Sequence, residues 1–160
     1  MWYNKNTNNN KLLGGKYMIY LIIGKKGTGK TKRLVKLAQD SLHQATGQVV
    51  FIDDDKRCMS ELNYKIRFIN TKEFELYSSD DLYGFVAGMI AGNYDTQKIF
   101  IDGLYNITNL NDSNIEGFLA KLDVLVSKHD IDVYINVSTV SENLPEGAKK
   151  YIFEELKNQD

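Results

Sequence analysis

The segment Gly24-Lys25-Lys26-Gly27-Thr28-Gly29-Lys30-Thr31 constrains this chain more than any other stretch, because it meets the spacing G-x-x-x-x-G-K-[ST] at every fixed position. An apolar run, Tyr17 to Ile23, leads directly into it. A helical pattern follows at once, with Leu34, Leu37, Ala38, Ser41, Leu42 and Ala45 on one face and a stop at Gly47. A strand that turns on glycines straight into an amphipathic helix implies a crossover back onto a parallel sheet.

The rest of the sequence keeps that alternation. Short runs rich in Val, Ile, Phe and Tyr predict strands at Gln48 to Asp53, Ile66 to Asn70, Lys98 to Asp102 and Val133 to Ser138. The expected fold is three-layer α/β, with a mostly parallel central sheet of four or five strands flanked by helices. A second helix is predicted after Ser78 or Ser79, with Asp80 and Asp81 in its first turn and Leu82, Phe85, Val86, Met89 and Ile90 facing inward. A third is predicted behind a capping box from Ser113 to Glu116, burying Ile115, Phe118, Leu119, Leu122, Leu125 and Val126. Pro145 predicts the start of a last helix carrying Tyr151, Ile152 and Leu156.

The 160 residues suffice for one domain with one core, here expected to span residues 18–160. Residues 1–17 are polar, asparagine-rich and aperiodic, so two readings stand: a disordered extension, or translated sequence ahead of a natural start at Met18. The second is motivated by Gly14-Gly15-Lys16, which GGAGGAAAA, a ribosome-binding purine run, can encode. Cys58 is the single cysteine, which excludes an internal disulfide and a cysteine zinc cluster. With no bilayer-length apolar run and no apolar signal segment, the expected compartment is the cytoplasm and no membrane partner is expected. Net charge is -1 and the three arginines are Arg33, Arg57 and Arg67, so nucleic acid is not indicated as a partner.

The motif carries its own chemistry. Glycines let successive main-chain N–H groups point into one concavity, and the following helix N-terminus adds partial positive charge, so Gly24, Lys25, Lys26, Gly27, Thr28, Gly29, Lys30 and Thr31 are the expected phosphate cradle. Lys30 is expected to reach the β- and γ-phosphates of a nucleoside triphosphate, and the Thr31 hydroxyl to ligate Mg²⁺. Asp102, at the tip of Lys98-Ile99-Phe100-Ile101-Asp102, is expected to face the same crevice and hold Mg²⁺ through water. Gly103 follows it where many ATPases carry a glutamate, so the base must come from elsewhere.

These residues resemble the P-loop NTPase superfamily, and the separation of more than sixty residues between Lys30 and Asp102 resembles its additional-strand branch. Phe51-Ile52-Asp53-Asp54-Asp55 is similar to the F-I-D-A-E segment of RecA-type ATPases. That resemblance implies ATP and Mg²⁺ as cofactors and Asp55 in the place of the catalytic glutamate. It also implies Ser138 or Thr139, after Asn136-Val137, at the polar sensor position beside the γ-phosphate. RecA-type enzymes often work at subunit interfaces, which leaves a homo-oligomer or a protein partner open.

The expected function is a Mg²⁺-dependent RecA-like ATPase. Two alternatives stand: a nucleotide-dependent switch or regulatory subunit without turnover, motivated by Gly103, and a small-metabolite kinase using Arg33 and Arg57. A small GTPase fits less well, since neither N-K-x-D nor a D-x-x-G after the second motif strand occurs. His43 and His129 read as surface residues, Cys58 as a buried small side chain, and Tyr105 as the tyrosine to test for base stacking.

Overall fold

The computed structural model describes residues 18–158; Tyr17 and the rest of the N-terminal stretch lie outside it, as do the readings made there. Six strands form one sheet: β1 Ile19–Gly24, β2 Gln48–Asp53, β3 Ile66–Asn70, β4 Thr96–Ile101, β5 Asp132–Ser138 and β6 Ile152–Leu156. Their order is β3-β2-β4-β5-β1-β6, and every neighbouring pair is parallel. β5 therefore lies between β1 and β4.

Helices cover both faces. α1 (Lys30–Ser41) packs on one face through Leu34, Val35 and Ala38, against Ile22, Phe51 and Phe100. The opposite face is covered by α2 (Ser79–Gly92), the short α3 (Leu104–Ile107), α4 (Ile115–Lys128) and the single turn α5 (Glu146–Lys149). Leu82, Val86 and Ile90 of α2, with Ile115, Leu119, Leu122 and Val126 of α4, close that core over Ile99, Ile101, Val133 and Ile135. The expected capping of α2 is present: Ser78 Oγ accepts from Asp81 N at 3.0 Å and the Asp81 carboxylate accepts from Ser78 N at 3.1 Å.

On the α1 face each strand contributes one aromatic ring at mid-sheet. Phe68, Phe51, Phe100, Tyr134 and Tyr20 stack in sequence, with centroids 4.7 to 6.5 Å apart, and Phe153 of β6 meets Tyr20 edge-on at 5.7 Å. These rings are register partners, Phe68 to Phe51, Phe51 to Phe100, Phe100 to Tyr134 and Tyr134 to Tyr20.

Two expectations fail. The last helix is a strand: α5 stops at Lys149, and Ile152–Leu156 joins the sheet at the free edge of β1, making six strands rather than four or five. A register shift between Leu21 and Ile22 disturbs the pairing of β6, and Glu154 points inward to Arg33, so neither the period of two nor an apolar face was legible. The box from Ser113 to Glu116 does not form. Instead, Asn111 N donates to Asn114 Oδ1 at 2.7 Å and Ser113 N to Asn111 Oδ1 at 2.9 Å, and Asn114 opens α4 without a side-chain cap.

Candidate functional site

The loop from Gly24 to Thr31 joins β1 to α1 at the C-terminal edge of the sheet. Gly27 and Gly29 have φ of 83° and 90°, a left-handed conformation that side chains disfavour. Among the described residues, no turn or loop hydrogen bond is donated by the amides of Lys26 through Thr31. A curled run of unpaired N–H groups at a helix start is a concavity for an anion. Lys30 is buried at 8% exposure, and its Nζ crosses the loop to donate to Lys25 O at 3.0 Å. Burial lowers its pKa, while the charge of Asp102 works to raise it. Lys25 and Lys26 are exposed, in keeping with solvated loop lysines.

Strand pairing then assembles the floor. Asp102 N donates to Ile52 O at 2.9 Å, which sets Asp102 beside Asp53, and the β4–β5 register carried one residue further sets it opposite Asn136. On the α1 face the row thus runs Asp53, Asp102, Asn136. Thr31 Oγ1, from the first turn of α1, donates to Asp102 Oδ2 at 2.9 Å, and Asn136 Nδ2 donates to Asp102 Oδ1 at 2.7 Å. Asn136 Oδ1 is buried without a partner.

These groups line a cavity of about 630 Å³ that holds Gly27, Gly29, Lys30, Thr31, Asp53, Asp55, Arg57, Cys58, Asp102 and Ser138. The sequence-predicted residues Lys30, Thr31, Asp55, Asp102 and Ser138 therefore converge. Ser138 is exposed to the cavity, whereas Thr139 is buried and its hydroxyl turns to Val140 O, so Ser138 is the one of the two that the fold presents. Tyr105 does not join them; its hydroxyl donates to Asp112 Oδ1 at 2.7 Å, away from the cavity lining. His43 and His129 are exposed, as expected.

Asp55 is at the cavity but engaged: Arg57 approaches it through Nε at 2.9 Å, its terminal nitrogen at 2.7 Å and its backbone N at 2.9 Å. Hydrogen bonds from Arg57 hold the carboxyl below its ordinary pKa. Asp53, which sequence reasoning passed over, sits deeper at 5% exposure. Burial first, and then the neighbouring Asp102 charge, push its carboxyl up to about 8. Cys58 is buried as expected, and its thiol donates to Asp53 Oδ2 at 3.4 Å. Ligand atoms of Asp53, Cys58 and Asp102 all lie within 4.8 Å of one another. The strand period held the signal for the missed pair: Phe51 to Asp53 and Tyr134 to Asn136 each step two residues along the α1 face.

The donor set suits a hard divalent cation. The hydroxyl of Thr31, an exposed residue at the cavity, meets the buried Asp102 carboxylate, which clusters with Asp53 and the Cys58 thiol; Asn136, which donates to the same carboxylate, keeps its Oδ1 buried and without a partner. No helix among the described residues is long and apolar enough to cross a membrane. No protein-family model and no curated protein matches the chain.

Proposed function

We propose that the chain is a P-loop protein of RecA-like type that binds a nucleoside triphosphate with Mg²⁺ and hydrolyses it. One observation carries the reading: Thr31 and Asp102, 71 residues apart, meet at 2.9 Å on the floor of the cavity that Lys30 and the glycine loop wall. A floor carboxylate joined to a hydroxyl at a helix start is the arrangement that a Mg²⁺-bound polyphosphate requires.

In this proposal the loop amides from Gly24 to Thr31 and the Lys30 ammonium bind the β- and γ-phosphates. Thr31 would hold Mg²⁺ directly and Asp102 would hold it through water, with Asp53 beside them. The ion, when bound, neutralises charge on the phosphate oxygens. Asp55 positions the water whose oxygen attacks the γ-phosphorus, accepting its proton as the bond to the β-phosphate oxygen breaks. The Arg57 side chain is 91% exposed, so an arriving γ-phosphate competes with Asp55 for it and frees that acid. Ser138 faces the γ-phosphate from β5. The resemblance names ATP; the phosphate cradle itself is indifferent to the base.

The Arg57–Asp55 pair also supports the second reading, a nucleotide-held switch, because a base that stays paired to Arg57 turns nothing over. A kinase is less supported, since Arg57 is the one arginine at the cavity. Phosphate release with Mg²⁺ separates these. Hydrolysis predicts release that is lost in Lys30→Ala and falls at least about 100-fold in Asp55→Asn. Release unchanged in Lys30→Ala removes the proposal. Intact triphosphate recovered after long incubation with the parent chain selects the switch.

A further inference from the structure

The geometry points to a site for a thiophilic divalent cation, of the zinc or cobalt class, formed by Asp53, Cys58 and Asp102 on the floor of the cavity. The fold brings the three together from separate places. Asp53 ends β2, Asp102 follows β4, and the turn after β2 returns the Cys58 thiol to the Asp53 carboxylate at 3.4 Å. The site does not depend on the triphosphate reading, since Lys30 and the loop amides take no part in it.

The spacing fits one ion. The Cys58 sulfur and one carboxylate oxygen from each aspartate all lie within 4.8 Å of one another. Sulfur at about 2.3 Å and oxygen at about 2.1 Å from a tetrahedral zinc ion stand about 3.6 Å apart. Cys58 Sγ and Asp53 Oδ2 already meet at 3.4 Å, so one edge of that tetrahedron is in place before an ion arrives. All three residues line the cavity of about 630 Å³, which gives an ion its way in.

Two observations call for a cation here rather than for packing alone. Among the described residues neither carboxylate is in an ion pair, and Lys30 turns its Nζ to Lys25 O at 3.0 Å. Two buried carboxylates this close need a proton or a cation between them. Asn136, whose Nδ2 holds Asp102 Oδ1 at 2.7 Å, lines the same cavity and keeps its own Oδ1 buried at 1% residue exposure without a partner. That oxygen is an acceptor for a water on the ion, at the open position that three protein ligands leave. Sulfur then decides which cation. Mg²⁺ takes oxygen and leaves a thiol alone, whereas Zn²⁺ and Co²⁺ bind thiolate. As the metal–sulfur bond forms, the Cys58 S–H bond breaks heterolytically and its proton passes to solvent.

Titration of the nucleotide-free full chain with Co²⁺, under reducing conditions, tests this through the thiolate-to-cobalt charge-transfer absorption in the near ultraviolet. Cys58 is the single cysteine, so that band has one source. The expected result is a band that saturates at one equivalent, is erased by one equivalent of Zn²⁺ and survives excess Mg²⁺. Cys58→Ser, Asp53→Asn and Asp102→Asn are each expected to bind Zn²⁺ at least about 10-fold more weakly, read by competition with a chromophoric chelator. No band in the parent at saturating Co²⁺ overturns the proposal whether or not any variant folds. So does a band that Mg²⁺ erases as readily as Zn²⁺, or parent-like Zn²⁺ affinity in Cys58→Ser or in both aspartate variants.

Discussion

Asp53, the last residue of β2, and Asp102, one residue past β4, stand side by side, both less than 8% exposed, with carboxylate oxygens within 4.8 Å of each other. Two buried carboxylates that close resist full ionisation, and Asp53 takes the strain, its pKa raised to about 8 by burial and by the charge of Asp102.

Asp53 therefore links stability to pH. In the unfolded chain its pKa is about 3.9. A folded-state pKa above that value means the native state binds the proton more tightly, so its contribution is fully present below about pH 4 and is lost as pH rises to about 8. Urea midpoints measured without divalent cation are expected to fall between pH 5 and pH 8, and Asp53→Asn is expected to flatten that slope. An equally steep slope in the variant assigns it to other groups.

Arg33 and Glu154 tie α1 to the edge strand β6 through two hydrogen bonds of 2.8 Å, and Glu154 is 7% exposed. Arg33→Ala leaves that carboxylate buried and unpaired, a loss of roughly 3 kcal/mol. The double variant Arg33→Ala, Glu154→Leu removes the stranded charge and is expected to recover much of it. Equal stability of the single variant and the parent, by urea unfolding, would show the pair to be energetically silent.

Gly24 has no room for a side chain. An added Cβ would stand 2.6 Å from Thr28 Oγ1 and 2.7 Å from Leu156 O, and the second is main chain that cannot rotate away. Gly24→Ala is expected to cost about 1 to 3 kcal/mol and to weaken nucleotide binding through the displaced loop. Parent-like affinity in calorimetry, with parent-like stability, would show that β6 yields without cost.

The sequence made the glycine loop between β1 and α1, the first five strands and the place of Asp102 legible because each rests on local pattern: fixed glycine spacing, β-branched runs bounded by turns, and an acid at a strand tip. β6 escaped because its pairing shifts register at Leu21 and it buries Glu154 where an apolar residue was looked for. α3 escaped because four residues, Leu104–Ile107, are too few to show a period. Asp53 stood in plain view among three consecutive aspartates, but which of them faces the floor depends on where the strand ends, and that is settled by pairing with β3 and β4. Asp55 lies at the cavity, while its engagement by Arg57 depends on side-chain geometry that no spacing encodes.

The six rings that cross the sheet, from Phe68 to Phe153, brace it transversely below the cavity. A strand that slid by one residue would turn its ring to the opposite face and break the stack on both sides. The platform beneath Asp102 is thus braced against shear, whereas the rim above it turns on Gly27, Gly29 and Gly103, whose left-handed backbone no stacked ring supports.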